Sequence, residues 1–260
     1  MLATLWRHRE LVGELARREF SGRYRGSFGG AAWSFAQPLL LLAIYTVAFG
    51  VILQARWGFG GGTADYALMV FAGLIVFNAF AECLNAAPRL VTANPNFVKK
   101  IVFPLEVLAP VMALNAIFHA LIGIAVWLVG YALLFGAPPA TAALSPLVLL
   151  AFFPILVGLG WLLSAIGVVV RDIGQLTALL THALLFLTPI FYSLDVVPAQ
   201  LRALFMANPL TFVVGELRAV LTGHALAAGP LVVYFVLGAL FAWASFIVFR
   251  RMRPGFAEMV

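Results

Sequence analysis

The sequence predicts an all-α integral membrane protein with six transmembrane helices, an N-terminal amphipathic interfacial helix, and short re-entrant outer helices between spans five and six. Three observations predict it. Hydrophobic residues make up 64% of the 260 and charged residues only 10%, against about a quarter charged in soluble domains, so too little polar surface exists to cover a soluble core. The apolar residues gather in six blocks, at about 33–54, 66–87, 105–135, 146–170, 173–192 and 229–249, each reaching the roughly 19 residues that a crossing needs. Finally, threading the chain through six spans leaves only Arg56, Arg202 and Arg218 on one side. The other side takes Arg7, Arg9, Arg17, Arg18, Arg23, Arg25, Arg89, Lys99, Lys100, Arg171, Arg250, Arg251 and Arg253. Removing any one span inverts every later loop and destroys the split, so both termini are expected on the cytoplasmic side.

Residues 1–30 form the arm. At 100° per residue, Leu2, Leu5, Trp6, Leu11, Val12, Leu15, Ala16 and Phe20 share one arc, while Arg7, Glu10, Glu14, Arg17 and Arg18 share the other. Such a helix suits the headgroup plane. His8, Arg9 and Glu19 intrude on the apolar arc, which leaves two readings open, a lipid anchor or a face for a protein partner. The arginines before the first block replace the pattern of a cleaved signal peptide, and the N-terminus is expected to stay. Gly26, Gly29 and Gly30 let the chain turn into the first span, with Pro38 in its first turns. The third block is too long for a straight perpendicular crossing, so tilt or a broken end is expected.

Residues 88–104 read as a cytoplasmic link containing Asn94-Pro95 and both lysines of the chain, and 193–228 as an external segment that is largely apolar. Within the latter, Pro198 can open a helix, Asn208-Pro209 can break it and Gly223 can end a second. Two short helices dipping into the outer leaflet compete with an amphipathic loop on the surface. Pro198, Asn208, Pro209, Glu216 and Arg218 are the residues placed at this outer gate. The whole of 1–260 is read as a single transmembrane domain without internal repeat.

Several functions are excluded or disfavoured. One cysteine, Cys83, cannot make a disulfide within one chain, and His8, His119, His182 and His224 lack zinc-ligand spacing. The net charge of +6 lies beside the apolar blocks and not in one patch, so it reads as topology and not as nucleic-acid binding. Neither a GxSxG elbow nor an HExxH pair is present, and Ser34, Ser164 and Ser245 have no His one helical turn away. Lys99 and Lys100 follow no glycine-rich loop, so no GxxxxGK[ST] nucleotide site exists on this chain. No catalytic residue, cofactor or metal is assigned to it.

Asn78, Glu82, Asn85 and Arg89 recur at steps of four, three and four, a polar stripe on the inner half of span two. Either the stripe lines a path, or Glu82 is clasped by Arg89 and neighbouring helices. Asn115 and His119 form an i,i+4 pair in span three, read as hydrogen-bonded interior groups and not as a proton relay. Tyr45/Phe49 and Trp127/Tyr131/Phe135 also repeat at i,i+4 among the 23 Phe, 6 Trp and 6 Tyr, for which lipid contact is the default.

The run RYRGSFGGAAWSFAQPLL, the link NPNFVKKIVFPLEVLAP, Arg171-Asp172, the stretch LTPIFYSLDVVP and ANPL at 207–210 together resemble the membrane (permease) subunit of the polysaccharide and polyol phosphate ABC exporters, the O-antigen exporter permeases among them. The resemblance runs in order along essentially the whole chain. It implies a homodimer of the permease in a bacterial cytoplasmic membrane, paired with two copies of a cytoplasmic ABC ATPase that carries ATP and Mg. It implies a lipid-linked glycan as substrate; a small molecule, drug or teichoic-acid-like polymer is the alternative. A coupling helix falls at about Asn94 to Phe103, and the ATPase-facing part of the arm at Arg17 to Tyr24, with Arg23 between them. In that role Phe97 supplies an apolar anchor and Lys99 and Lys100 a charged rim, unless the lysines serve topology alone. Aromatic belts in such exporters nominate Tyr45, Phe49 and Tyr192, with Glu82, as channel lining.

Overall fold

Proline and glycine decide where these helices stop. The computed structural model describes residues 6–23, 32–52, 62–98, 103–170 and 172–259, and every regular element among them is helical. Helix α1, Arg9–Arg23, is the arm. Helix α2, Trp33–Tyr45, holds Pro38 and runs into a π-helical stretch, Thr46–Ile52. Helix α3, Thr63–Ala86, starts where the Asp65 carboxylate accepts the Gly62 amide at 3.3 Å, which satisfies one of the free donors of a helix start. Its 24 residues give a length of about 36 Å, enough to cross.

A 3₁₀ turn, Ala87–Arg89, leads to the one-turn helix α4, Pro95–Val98. After a second 3₁₀ turn, Leu105–Val107, comes α5, Leu108–Phe135. It ends at Gly136 with φ 90°, a left-handed stop that glycine takes without steric cost. Helix α6, Ser145–Val169, is followed by α7, Ile173–Leu187. Helices α8, Ala199–Ala207, and α9, Pro209–Leu221, meet at 89°. Helix α10, Ala228–Met252, then precedes a terminal turn, α11, Phe256–Met259.

Helix α3 is the hub, with 78% of its apolar window inside the bundle against 28% for the span carrying α10. On α10, Val232, Val233, Val236, Leu237, Leu240 and Trp243 are all exposed, and their helical spacing makes one apolar stripe facing outward, as lipid requires. Two buried indoles brace the core across helices: Trp127 Nε1 donates to Leu68 O at 2.9 Å and Trp161 Nε1 to Glu106 O at 2.9 Å. At Gly167 of α6 an added Cβ would lie 2.0 Å from the Pro88 carbonyl oxygen, so the two backbones touch with no side chain between them. Small residues allow such approach where helix packing has no help from water.

Four spans meet the length and hydropathy of a crossing: Ala64–Arg89, Leu105–Phe135, Ala140–Val169 and Ala228–Gly255. The α8–α9 pair makes a fifth if counted as one broken span. The two other expected blocks are shorter helices. The block at 173–192 yields α7 of only 15 residues, about 22 Å long, short of a hydrocarbon core of roughly 30 Å. The cause is local: Thr188 turns extended, with ψ 135°, because it precedes Pro189 and that position disfavours the helical region. In the block at 33–54 the α-helix itself covers 13 residues before the π-helical stretch takes over.

The arm packs against the rest of the chain. Val12 is buried with Val107 and Val111, and Leu11, Leu15, Ala16 and Phe103 pack around them. One turn further, Phe20 meets Phe118 edge to face at 4.4 Å. The apolar arc read from the sequence therefore finds its partner on α5 of the same chain.

Candidate functional site

Three groups of residues mark the molecule, two at the end where the arm docks and one at the opposite end. At the arm end, Asn94 of the link donates from its side-chain amide nitrogen to Leu90 O at 2.9 Å and fixes the entry to α4. Phe97 stacks face to face on Phe103, with ring centroids 4.2 Å apart and planes 8° from parallel. Phe103 also belongs to the cluster around Val12. Link, arm and bundle thus share one aromatic side chain. Arg17 is exposed on α1. Arg23 ends that helix, while its side chain, together with Tyr24, Lys99 and Lys100, lies outside the described residues.

The link is also tied to the turn Arg253–Gly255 that follows α10. Arg253 Nη1 donates to Glu106 Oε1 at 2.7 Å, and its Nη2 donates to Phe103 O at 3.2 Å. Glu106 is 4% exposed, and a carboxylate buried that deeply calls for a charged partner such as this. Sequence reading missed this pair. The available signal was one carboxylate inside an otherwise apolar run after Pro104, which by default asks for a named partner.

The second group surrounds a cavity of about 830 Å³ between α1, α2, α3 and α5, bounded by Glu19, Phe20, Pro38, Phe71, Asn78, Glu82, Asn85, Asn115 and His119 among others. The polar stripe of span two does share one face, and three of its members line this space. Glu82 is paired differently from the expected clasp: its Oε2 lies 2.8 Å from His119 Nδ1 on α5, and among the described residues no ion pair joins it to Arg89. Asn85 donates to Ala81 O at 2.8 Å and to Thr181 Oγ1 at 3.0 Å, which fastens α3 to α7. Asn115 is buried, and its Nδ2 finds no acceptor among the described residues.

At the opposite end stands Arg218. Its Nε donates to Met69 O at 2.8 Å, Nη1 to Pro189 O at 2.6 Å and Nη2 to Ile190 O at 2.6 Å. The chain leaves helical geometry after Leu187, so the Pro189 and Ile190 carbonyls have no helical donors, and the guanidinium fork supplies them. Gly73 makes room, since a Cβ there would lie 2.6 Å from Nη2. Arg218, counted from sequence as an external loop charge, is in fact a buried brace. Tyr66 adds to it by donating from its hydroxyl to Phe191 O at 2.7 Å.

The other residues expected at an outer gate lie along the α8–α9 pair. The Pro198 carbonyl accepts from Leu201 N at 2.9 Å at the start of α8. Asn208 caps α9, accepting from Leu210 N at 3.0 Å and donating to Thr188 Oγ1 at 2.9 Å, with Pro209 as the first helical residue. Glu216 accepts the Ala227 amide at 3.1 Å. Tyr192 donates to Phe186 O and meets Phe205 edge to face at 6.1 Å. The side chains of Tyr45 and Phe49 lie outside the described residues. Trp127 and Tyr131 stack at 5.1 Å, and Tyr131 meets Phe135 at 5.4 Å, as their spacing predicts.

The chain is similar to known proteins along its length. Over its full length the chain is 26% identical, across 264 residues and 99% of the relative, to the O-antigen export system permease protein RfbA of Myxococcus xanthus. It is 22% identical, across 253 residues, to a protein of the same name from Klebsiella pneumoniae, covering 96% of this chain and 95% of that one. The family model described as ABC-2 type transporter matches residues 10–222, from the arm helix through the end of α9. The chain belongs to the ABC-2 type transporter family of membrane permeases.

Proposed function

We propose that this chain is the permease of an ATP-driven exporter that moves a lipid-linked polysaccharide, O-antigen or a similar surface glycan, across the bacterial cytoplasmic membrane. The observation that carries this reading is the end-to-end similarity to permeases named for O-antigen export. Two copies of the chain form the path, and two copies of a cytoplasmic ATPase, which holds ATP and Mg, drive it. The arm end faces the cytoplasm, consistent with Arg17, Arg89 and Arg253 gathering there. The four long helices cross, and α2 with its π-helical continuation and α7 with residues 188–192 complete six crossings. The α8–α9 pair dips into the outer leaflet and returns.

Coupling in this reading follows from Phe103. ATP binding draws the two ATPases together and displaces the link at Asn94 and Phe97, with Lys99 and Lys100 on its charged rim. Because Phe103 contacts both the link and the arm, the displacement passes to α1 and α5 together. The ligand bound by the partner supplies the free-energy difference between closed and open states, as any population shift requires. Tyr45, Phe49, Tyr192 and Glu82 line the path, and Pro198, Asn208, Pro209, Glu216 and Arg218 shape its outer gate.

Deleting the chain tests the reading: surface polysaccharide disappears while tolerance to small toxic compounds stays unchanged. Normal surface polymer with lost drug tolerance would favour a small-molecule exporter. Affinity purification in mild detergent is expected to bring down a nucleotide-hydrolysing subunit in equal amount.

A further inference from the structure

The link is seated on the bundle at both of its ends. At its start the Pro88 carbonyl meets the backbone of Gly167 with no side chain between them. At its finish Phe103 stands outside any helix, and its carbonyl accepts from Arg253 Nη2 at 3.2 Å. The same guanidinium gives Nη1 to Glu106 Oε1 at 2.7 Å, so one side chain from the last turns of the chain clasps both residues. Its mount is buried on either side. Arg253 opens the turn Arg253–Gly255 between Phe249 and Phe256, which are each 1% exposed and meet edge to face at 5.4 Å.

Stability alone does not account for this clasp. Glu106 Oε2 is buried with no partner among the described residues, and a buried ion pair left partly unsatisfied adds little over apolar packing of the same volume. Apolar side chains cannot, however, donate to the Phe103 carbonyl, and that bond fixes the backbone from which the Phe103 ring projects. Phe97 lies on that ring, with centroids 4.2 Å apart and planes 8° from parallel. The place of Phe97 therefore depends on Arg253, although the two residues are far apart in sequence.

We propose that Arg253 is a positioning residue for the coupling link: its bond to the Phe103 carbonyl holds the stack of Phe97 on Phe103, and with it α4, where the ATPase engages it. The proposal rests on the export reading and adds to it a residue from the C-terminal turn. The guanidinium acts through Phe103, and its pairing with Glu106 orients the fork for that bond.

The test separates the bond from the charge. Arg253→Met combined with Glu106→Leu removes both halves of the ion pair, strands no charge and leaves the Phe103 carbonyl without its donor, whereas Glu106→Leu alone keeps that donor. Hydrogen exchange is followed on the full chain in lipid nanodiscs at Asn94 and Phe97, whose amides donate to Val91 O and Asn94 O, with α3 amides as reference. In the double variant the link amides should exchange roughly tenfold faster, the weight of one hydrogen bond made by a charged group, while α3 and the melting temperature stay at the parent values. Glu106→Leu alone should leave the link rate unchanged. In cells the double variant should lose surface glycan although a nucleotide-hydrolysing subunit still co-purifies with it. Parent-rate exchange in the double variant overturns the proposal, as does equal acceleration by Glu106→Leu alone, or normal export from a double variant whose link exchanges fast. Surface glycan that survives deletion of the whole chain sinks the export reading, and the exchange rates still decide whether Arg253 holds the link.

Discussion

The brace at Arg218 and the cavity at Asn115 both bury polar groups in an apolar bundle, yet they are built in opposite ways. Around Arg218 three carbonyls from two distant stretches meet three guanidinium nitrogens, at 2.6 to 2.8 Å. Around Asn115 a buried amide nitrogen has no acceptor among the described residues, one helical turn from His119, whose Nδ1 lies 2.8 Å from the Glu82 carboxylate. The first arrangement fixes geometry, because breaking it strands several backbone groups. The second leaves one buried donor without an acceptor among the described residues, at a cost of about 1–3 kcal/mol. Comparing the two separates a satisfied polar group from an unsatisfied one inside one helical bundle.

Breaking the brace has the largest expected effect. Arg218→Met leaves the Pro189 and Ile190 carbonyls without their donor, at about 1–3 kcal/mol each, and the protein should lose thermal stability and yield in detergent. Arg218→Lys keeps the charge but not the fork, so an intermediate melting temperature is expected. A variant Arg218→Met that melts with the parent would show that the carbonyls find other donors and erase the contrast.

The tie at the arm end is next. Arg253 is about a third exposed at its side chain, and Glu106 is 5% exposed there. Arg253→Met strands the carboxylate, and solvent at the arginine side holds the cost to about 1–3 kcal/mol. Glu106→Gln should restore much of the loss in the double variant, since the stranded charge is then gone, a result that melting curves of the single and double variants resolve.

The smallest change in stability and the sharpest change in function are expected at the link. Phe97→Ala removes a stacked pair worth about 0.5–1.5 kcal/mol beyond its area, and combined with Lys99→Ala it should leave insertion and melting nearly intact while export stops. Export at the parent level from this stably inserted double variant would falsify the coupling role. Nucleotide hydrolysis by the assembled complex should persist, which separates uncoupling from failure to assemble.

The sequence makes one half of this comparison easier to read than the other. Asn208-Pro209 announces the bend between α8 and α9, and the i,i+4 aromatics on α5 stack as spaced, because both are local. Arg218 misleads, since its partners are backbone carbonyls 28, 29 and 149 residues away and a carbonyl carries no residue-type signal. Glu82 and His119 are each noticeable as intramembrane ionisable groups, yet their pairing depends on the register between α3 and α5, which periodicity within one helix does not contain. Hydropathy windows likewise run through Thr188-Pro189, because proline ends a helix without lowering the local oiliness.

Where Gly167 meets the Pro88 carbonyl, the first turn of the link rests on α6 like a shaft on a bare bearing. Nothing compressible fills the gap, so a force applied to the link is not absorbed there as side-chain rearrangement. A link seated on backbone in this way resists being pressed into the bundle at Pro88. Even one methyl group at Gly167, 2.0 Å from that oxygen, would jam the bearing.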